Sequence, residues 1–553
     1  MYIHRRTGIL ILLICFVPAF VFAQNLINLG EIHGNFQLDA QYYNADSTIG
    51  APAVPEKILS NGFLNLIYTK GNFSAGLRYE NYLNVMQGFD PRYKGNGIPY
   101  RYASYTQEGM EVTVGSFYEQ FGDNGIILRS YEERSLGFDN ALDGVKLKYN
   151  PCPGITLKAL IADQRFFFDK AGLVRGADGE FSINDIFSKC MSKYKTRFTI
   201  GGSVVSKYQK DQDPIYKLPE NVAAFAGRAK VSRPKFDIRT EYAYKVNDPS
   251  AINNFIYKPG EALIVNASVY PKKGMSIMLE GKRIDNMNFR SDRTATGNAL
   301  IINYLPAMTK QHIYSLAAMY PYASQPNGEM SYQGTIRYKI KKETMLGGKY
   351  GTDVALNYSC SNSIDKKQIN DSTAIQQTGT LGYKSDFFKI GNEKYFEDLN
   401  LEVGHKFSKT LKTNFMFANM IYNKAVIEGH IGTSTVYANV GVADITYMIQ
   451  DEKSIRFELQ HLYTKQDEGS WAMGLVEYTT PKWFCAALDM YDYGNEVSSK
   501  QIHYYSVMIG VTKNANRIAI SYGKQREGIL CVGGVCRQVP ASNGIQINIT
   551  SSF

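Results

Sequence analysis

The sequence lacks the patterns on which helical membrane proteins depend. Nowhere does a helical spacing of apolar residues persist over three turns. Trp and Cys are also scarce, with only 2 and 7 among 553 residues. Beyond residue 24, no stretch approaches the roughly 18 consecutive apolar residues that a membrane-spanning helix requires. Helical anchoring of the chain beyond its first residues is therefore excluded.

The chain also lacks a catalytic constellation. Its histidines are isolated, and none has a neighbouring Ser or Asp arrangement that would place a base beside a nucleophile. Beyond the first residues of the chain, they are His33, His312, His405, His430, His461 and His503. The segment Gly347-Gly348-Lys349 has no strand-to-helix context of a phosphate loop. We therefore predict a non-enzymatic protein without catalytic residues, cofactor or metal site.

The first 23 residues form an export signal. Arg5 and Arg6 precede an apolar run over residues 8–22, and Ala23 supplies the small residue that a signal peptidase requires. We assign residues 1–23 as a signal peptide and residues 24–553 as the mature chain. An exported protein without helical anchors is either soluble outside the inner membrane or a β-barrel.

The mature chain is mildly basic. Two of the 61 Lys and Arg residues belong to the signal, and the remaining 59 oppose 51 Asp and Glu, a formal net charge of about +8. An excess this small in an exported chain does not indicate nucleic acid binding. Either a charged lumen or contact with anionic lipid head groups accounts for it.

The last ten residues, 544–553, alternate apolar and polar side chains and end on a bare aromatic. Ile545, Ile547, Ile549 and Phe553 share one face because successive strand side chains point to opposite sides. In an outer-membrane barrel this face meets lipid, and we expect the terminal strand to act as the insertion signal. A terminal strand of a soluble sheet would alternate equally well, so the assignment depends on the rest of the chain.

Other segments repeat this period of two. Residues 236–246 and 332–341 alternate aromatic or aliphatic side chains with polar, largely charged ones. The 40 Tyr suit the aromatic girdles of a barrel, and the 48 Gly suit tight packing and turns. Together with the export signal, the pattern predicts an all-β fold, a large transmembrane antiparallel β-barrel.

Two kinds of connection divide the chain. Tight turns are predicted at residues 70–72, 107–109, 150–154, 232–234, 271–274, 407–409, 450–453, 480–482 and 513–516. Longer polar loops are predicted at residues 45–60, 84–99, 119–142, 165–182, 209–221, 247–261 and 526–542. Short periplasmic turns and long extracellular loops are the usual asymmetry of outer-membrane barrels. The turn spacing predicts roughly 22–26 strands, although the pattern does not define the strands between residues 361 and 395.

The densest polar segment extends from residue 116 to residue 144. Arginines and carboxylates at this density favour a loop that folds into the lumen and is cross-linked there. The candidate residues are Arg129, Glu132, Glu133, Arg134, Asp139 and Asp143. A solvated extracellular loop with weak ion pairs explains the spacing equally well. Asp139, Asn140 and Asp143 also hint at a cation loop, but the acidic ladder and distal Glu of an EF-hand are missing.

Six cysteines remain in the mature chain, and two of them are close in sequence. Cys531 and Cys536 lie on either side of Gly533-Gly534 in a predicted extracellular loop. An oxidising compartment permits a disulfide between them. Metal ligation is the less favoured alternative, because no second pair of Cys or His accompanies them.

Three segments resemble an uncharacterised family of Bacteroidota outer-membrane barrels. They are residues 62–102, residues 117–149, and residues 522–530 with Cys531, Cys536 and Pro540. The resemblance extends over nearly the whole mature chain. It implies the compartment and the fold, but the family supplies no ligand-binding or catalytic residues. Barrels of this group also look like partners of outer-membrane assembly or secretion machinery.

Three functional hypotheses follow from the sequence. The first is a subunit or accessory of an outer-membrane protein assembly or secretion complex. The second is a passive porin-like channel for polar solutes, and the third is a surface adhesin. The expected partners are outer-membrane lipid and lipopolysaccharide, the barrel assembly machinery during insertion, and other envelope proteins or lipoproteins. The expected location is the outer membrane of a Gram-negative, Bacteroidota-like cell.

Overall fold

The described part of the protein is a closed β-barrel. The computed structural model describes residues 30–532 and 535–553, so the predicted signal peptide, residues 1–23, lies outside it. In these residues, 24 strands form one antiparallel sheet in which each strand pairs with its neighbours along the barrel. The sheet closes because the first strand also pairs with the last. The predicted fold class is confirmed, and the strand number lies within the predicted range.

The barrel strands follow one another in chain order. They are β1 (Glu31–Asn44), β2 (Ile58–Lys70), β3 (Phe73–Leu83), β4 (Gly95–Gln107), β5 (Met110–Phe117), β8 (Leu142–Tyr149), β9 (Ile155–Phe166), β10 (Asp169–Ser182), β11 (Arg197–Tyr208), β12 (Asn221–Arg233), β13 (Phe236–Lys245), β14 (Gly260–Val269), β15 (Met275–Asp285), β16 (Glu329–Ile340), β17 (Thr352–Lys367), β18 (Lys384–Lys406), β19 (Leu411–Asn423), β20 (Thr435–Gln450), β21 (Lys453–Tyr463), β22 (Trp471–Thr479), β23 (Trp483–Asp492), β24 (His503–Lys513), β25 (Asn516–Gln525) and β28 (Ser542–Ser552).

Two short hairpins and several single-turn helices lie in the connections. The hairpins are β6 (Glu132–Glu133) with β7 (Phe138–Asp139), and β26 (Gly528–Val532) with β27 (Val535–Val539). The helical turns are Pro91–Tyr93, Arg134–Leu136, Ile183–Ile186, Ser188–Met191, Ala251–Asn253, Ala317–Met319, Lys424–Ile427 and Ser498–Lys500. Within the described ranges no helix has the length and apolar character needed to cross a membrane.

Strand alternation separates an apolar outer face from a polar inner face. In β13, Ile238 is 43% exposed on the outside, whereas Glu241 on the opposite phase is 2% exposed. Lys245, also on the inner phase, is completely buried. Charged side chains are buried here because the lumen is occupied by protein, as described below.

The last strand has its isoleucines on the outer face. Ile545 and Ile547 are exposed there. On the inner face, the amide of Gln546 donates to Gln41 at 3.0 Å, and the amide of Asn548 donates to Asp39 at 2.7 Å. The terminal residue is also bound, because the backbone N–H of Gly34 donates to the carbonyl of Phe553 at 2.9 Å. The barrel therefore closes through both backbone and lumenal side-chain contacts.

Connections differ at the two ends of the barrel. All nine predicted tight turns lie at one end, which we call the turn rim. The predicted loops 45–60, 84–99, 119–142, 209–221, 247–261 and 526–542 lie at the other end, the loop rim. Two connections of the turn rim, residues 183–196 and 341–351, are longer than the others.

The loop predicted at residues 165–182 is wrong. The chain forms a tight hairpin there: β9 and β10 are joined by Phe167 and Phe168 alone, with Phe167 at a φ of 58°. The register shifts beside Gly172, which forms a bulge. The strand was missed because the outer phase of β10 includes Ala177 and Gly179, whose small side chains give little apolar periodicity.

The ambiguous region at residues 361–395 contains two long irregular strands. β17 and β18 pair with register shifts between Ser361 and Lys366. Each shift interrupts the period of two, which explains why the pattern there did not define the strands. Residues 368–383 form the loop between them.

The membrane assignment of β28 is testable by two neighbouring substitutions. Ile547→Arg places a charge on the lipid face and should destabilise the barrel by about 2 to 4 kcal/mol near the bilayer midplane. Asn548→Arg places the same charge on the lumenal face, where we expect little effect. The heat-induced mobility shift of the folded barrel in gels, measured for both variants, checks this expectation. Equal tolerance of the two substitutions would contradict the assigned faces.

Candidate functional site in the lumen

Residues 118–141, which we call the inner loop, fold into the barrel. Phe121, Ile126, Ile127 and Leu128 are completely buried. Phe121 lies against Gly176 of β10, where a Cβ atom would come within 2.7 Å of its ring. An apolar cluster of this kind is stable only away from water, so it holds the inner loop against the lumenal wall of β8 to β15.

A buried ionic cluster attaches the inner loop to the barrel wall at β3 and β9. Arg78 of β3 contacts Glu80 at 2.7 Å and Glu132 of the inner loop at 2.9 Å. Arg165 of β9 contacts Glu80 at 2.7 Å. Both guanidinium groups also contact Asp139 of the inner loop. The side chains of Arg78 and Arg165 are 3% and 4% exposed.

The charges in this cluster balance. Arg134 contacts Glu132 at 2.7 Å and donates to the amide oxygen of Gln37 at 3.2 Å. The cluster thus contains three guanidinium groups and three carboxylates. They are Arg78, Arg134 and Arg165 with Glu80, Glu132 and Asp139. Balanced, hydrogen-bonded charges are the arrangement in which burial is tolerated, and removing one partner is costly.

Asp139 remains ionised in this environment. Burial by itself would raise its pKa, but the neighbouring Arg165 and Arg78 guanidinium groups hold the pKa below its ordinary value of 3.8. The carboxylate therefore contributes to attachment of the inner loop at neutral pH. That contribution is lost only when the pH falls through the lowered pKa, so we expect no release of the loop between about pH 5 and 8.

The other predicted site residues lie outside the cluster. Arg129 stacks on the ring of Tyr304 at 4.0 Å and on that of Tyr131 at 4.7 Å. Glu133 accepts from the Ser135 hydroxyl at 2.6 Å. Asp143 belongs to strand β8 and contacts Lys170 of β10 at 2.8 Å. The six candidates therefore do not form one site: Glu132, Arg134 and Asp139 come together, and the remaining three do not join them.

A second segment, residues 286–328, crosses the lumen, and we call it the strap. Its first half lies against the inner loop and the nearby wall. The carbonyl oxygen of Ile301 accepts from Asn140 at 2.9 Å and from Gln164 of β9 at 2.6 Å. The backbone N–H of Arg129 donates to the carbonyl of Ile302 at 2.9 Å. The inner loop and the strap therefore form one packed unit.

The second half of the strap reaches the opposite wall. His312 lies 3.0 Å from Asp398 of β18, and the Tyr314 hydroxyl donates to Asp444 of β20 at 3.2 Å. The backbone N–H of Leu316 donates to Gln460 of β21 at 2.9 Å. Because β9 and β21 stand on opposite sides of a 24-strand barrel, the strap spans the full width of the lumen.

The cysteine hairpin β26–β27 covers the strap at the loop rim. The structure joins Cys531 and Cys536 by a disulfide. The amide of Gln311 donates to the carbonyl of Cys531 at 3.2 Å, and that of Asn298 to the carbonyl of Cys536 at 2.7 Å. Arg537 stacks on Phe89 of the neighbouring loop at 4.1 Å. The hairpin thus connects the strap to the loop that follows β3.

Sequence reasoning missed the wall residues and the strap. Arg78 and Glu80 are two positions apart in β3, so they share the lumenal face, and this spacing was the available signal. The strap had a different signal. A connection as long as residues 286–328 without strand alternation is unusual in a compact fold, and such segments are generally functional.

A cavity remains beside the strap. It has a volume of about 340 Å³ and lies between the cysteine hairpin and the wall of β24, β25, β28 and β1. Its lining includes Gln41, Ser315, Tyr504, Lys524 and Arg526. Among the described residues no group of three or more His, Cys, Asp or Glu side chains is arranged to hold a metal ion.

These features define a large outer-membrane-type β-barrel whose lumen is crossed by its own loops. The chain belongs to a family of unknown function (DUF6029), which matches residues 5–553. No curated protein matches it in sequence.

Solved structures of large barrels are similar to this chain at low identity. The P pilus usher (PapC) translocation pore is 8% identical, with a TM-score of 0.43, 94% of this chain and 99% of the usher chain being covered. OccK3 (OpdO) of Pseudomonas aeruginosa is 13% identical, with a TM-score of 0.37 and coverage of 71% and 92%. A mutant of the ferric enterobactin receptor (PfeA) of Pseudomonas aeruginosa is 11% identical, with a TM-score of 0.43 and coverage of 95% and 81%.

Proposed function

We propose that this barrel is a non-enzymatic subunit or accessory of an outer-membrane protein assembly or secretion complex. The observation that carries the proposal is the strap, which extends from β9 to β21 and makes hydrogen bonds at both walls. A passive channel needs a continuous aqueous path, and a segment fixed across the lumen obstructs such a path. A barrel of this kind offers its rims and outer wall to partners instead.

The sequence supports the following cellular context for this barrel. Residues 1–23 direct export, and the barrel assembly machinery inserts the mature chain into the outer membrane of a Bacteroidota-like cell. The turn rim then faces the periplasm, and the loop rim faces lipopolysaccharide and the outside. Other envelope proteins or lipoproteins are the proposed stable partners.

The size of the native assembly tests the proposal. We expect the barrel, extracted at native expression in mild detergent, to migrate well above the size of a single chain, which is 62.2 kDa with its signal peptide. It should also carry a stoichiometric second envelope protein. The refolded barrel alone serves as the size control. Migration of the extracted protein at the size of the control, with no second protein found by mass spectrometry, would contradict the proposal.

A porin-like channel is the second candidate, and the cavity beside the strap favours it. The cavity of about 340 Å³ has both polar and apolar side chains in its lining. Lys524 and Arg526 are among the polar ones, and a path for polar solutes requires such groups. In this alternative the strap is a constriction rather than a closure. Steady conductance of the unmodified barrel in planar bilayers would support the channel over the complex subunit.

A further inference from the structure

The turn rim carries a one-sided concentration of positive charge. Five consecutive connections, residues 183–196, 234–235, 270–274, 341–351 and 407–410, join the ten neighbouring strands β10 to β19. With one flanking residue on each side, they contain thirteen exposed basic residues, which we call the basic arc. They are Lys189, Lys193, Lys195, Arg197, Arg233, Lys235, Lys272, Lys273, Lys341, Lys342, Lys349, Lys406 and Lys409.

Few carboxylates oppose these charges. The same connections contain two acidic residues, Asp185 and Glu343. Asp185 contacts Arg197, and Glu343 lies 4.0 Å from Lys342. The other eleven basic groups of the arc have no ion pair within residues 30–532 and 535–553, so their mutual repulsion is not relieved by the chain itself.

The remainder of the turn rim provides an internal comparison. Its six connections, counted in the same way, contain four basic residues and three acidic ones: Lys70, Lys453, Lys482 and Lys513 with Glu108, Asp451 and Glu452. This neutral arc shows that the turns of this barrel do not need an excess of positive charge in order to fold. The basic arc therefore calls for anions from outside the chain.

Contacts with aromatic rings place two members of the basic arc at the membrane surface. The Arg233 guanidinium lies 6.0 Å from the ring centre of Phe236, and the Lys272 ammonium lies 4.5 Å from that of Tyr338. Phe236 and Tyr338 are on the outer phase of β13 and β16, at the turn-rim end of each strand. Aromatic residues at strand ends occupy the level of the lipid head groups.

We propose that the basic arc binds the phosphate head groups of anionic phospholipids in the periplasmic leaflet. Basic side chains clustered at a membrane surface attract anionic lipids, and several of them act together. Ammonium and guanidinium groups beside girdle aromatics lie where those phosphates lie. Anionic lipid is then enriched around the outside of the barrel along β10 to β19, while the neutral arc has no preference for anionic lipid.

Two aromatic positions with equal exposure, one on each arc, allow a matched measurement with a tryptophan reporter. Trp483 is 40% exposed on the neutral arc, and Phe198, also 40% exposed, lies beside Arg197 on the basic arc. The other tryptophan, Trp471, is buried and common to all samples. A variant with Phe198→Trp and Trp483→Phe therefore moves the lipid-exposed reporter from one arc to the other in the full barrel.

The probes are vesicles of phosphatidylcholine mixed with either brominated phosphatidylglycerol or brominated phosphatidylcholine. We expect the brominated anionic lipid to occupy the site near position 198 with about fivefold preference over the zwitterionic one, and the site near Trp483 with no preference. Raising NaCl from about 0.02 M to about 0.5 M should abolish the preference. Equal occupancy by both lipids near position 198 would overturn the proposal. The basic arc would then be better explained by binding to an acidic protein surface.

Neutralising part of the arc separates charge from local packing. Lys195→Gln, Arg233→Gln and Lys235→Gln, combined in the Phe198→Trp reporter, should remove the preference near position 198. The matched control is Lys482→Gln beside Trp483, which should change nothing. If the triple variant keeps the preference while its heat-induced mobility shift shows a folded barrel, the basic arc is not the lipid site.

Discussion

Replacing residues 288–326 of the strap by a short Gly/Ser linker should convert a barrel that carries no steady current into one that conducts. A 24-strand barrel is wide enough to enclose an aqueous channel. The inner loop lies against β8 to β15, so without the strap the lumen beside β18 to β21 loses the segment that fills it. The replacement keeps β15 and β16 and their ion pair between Lys282 and Glu329 at 2.8 Å, so the wall should still close. Single-channel recording in planar bilayers measures the change.

The control for this replacement is a deletion at the loop rim that leaves the lumen unchanged. Residues 496–500 lie in the exposed loop between β23 and β24, so their removal should leave the conductance as in the unmodified barrel. The heat-induced mobility shift establishes that both variants are folded. A folded strap variant with unchanged conductance would show that the strap does not obstruct the lumen.

Asp139→Asn should detach the inner loop from the wall. The substitution conserves size but leaves Arg78 and Arg165 with one carboxylate fewer, so the buried cluster acquires a net positive charge. Removing one partner of a buried pair typically costs about 3 to 5 kcal/mol. If the inner loop opens on its own, amide hydrogen exchange of residues 120–141 should accelerate about 100-fold or more.

Asp143→Asn is the matched control for this prediction. Asp143 was a candidate on the same sequence pattern, but its charged partners Lys170 and Arg101 are 41% and 55% exposed, against 3% and 4% for Arg78 and Arg165. Exposed ion pairs contribute about 1 kcal/mol or less. Exchange in the inner loop should therefore stay within a few fold of the unmodified protein. Similar acceleration in both variants would mean that the buried cluster has no special role in holding the loop.

The fold was predictable because lipid imposes a local rule. Wherever a strand faces lipid, every second residue must be apolar, and β28 shows this rule in its isoleucines. Seven of the nine predicted tight turns contain Gly, Pro or Asn, which form turns for local backbone reasons, so these turns could be recognised from the sequence. The rule failed at β10, where Ala177 and Gly179 occupy the outer phase with hardly any side chain.

The lumen was less predictable because its contacts join residues that are far apart in sequence. Charge density identified Glu132, Arg134 and Asp139, but nothing in the inner loop indicates that Arg78 and Arg165 are its partners. The apolar residues of the strap, such as Phe289 and Leu316, are buried by distant segments and show no periodicity. Such packing is a property of the closed barrel rather than of a local pattern.

The conductance of the unmodified barrel tests directly whether its own loops obstruct the lumen. Because the strap and the inner loop obstruct the lumen, the purified protein in a planar bilayer should show no steady current, while the strap replacement should conduct. A steady current through the unmodified, folded barrel, unchanged by replacing the strap, would contradict the account and favour a passive channel.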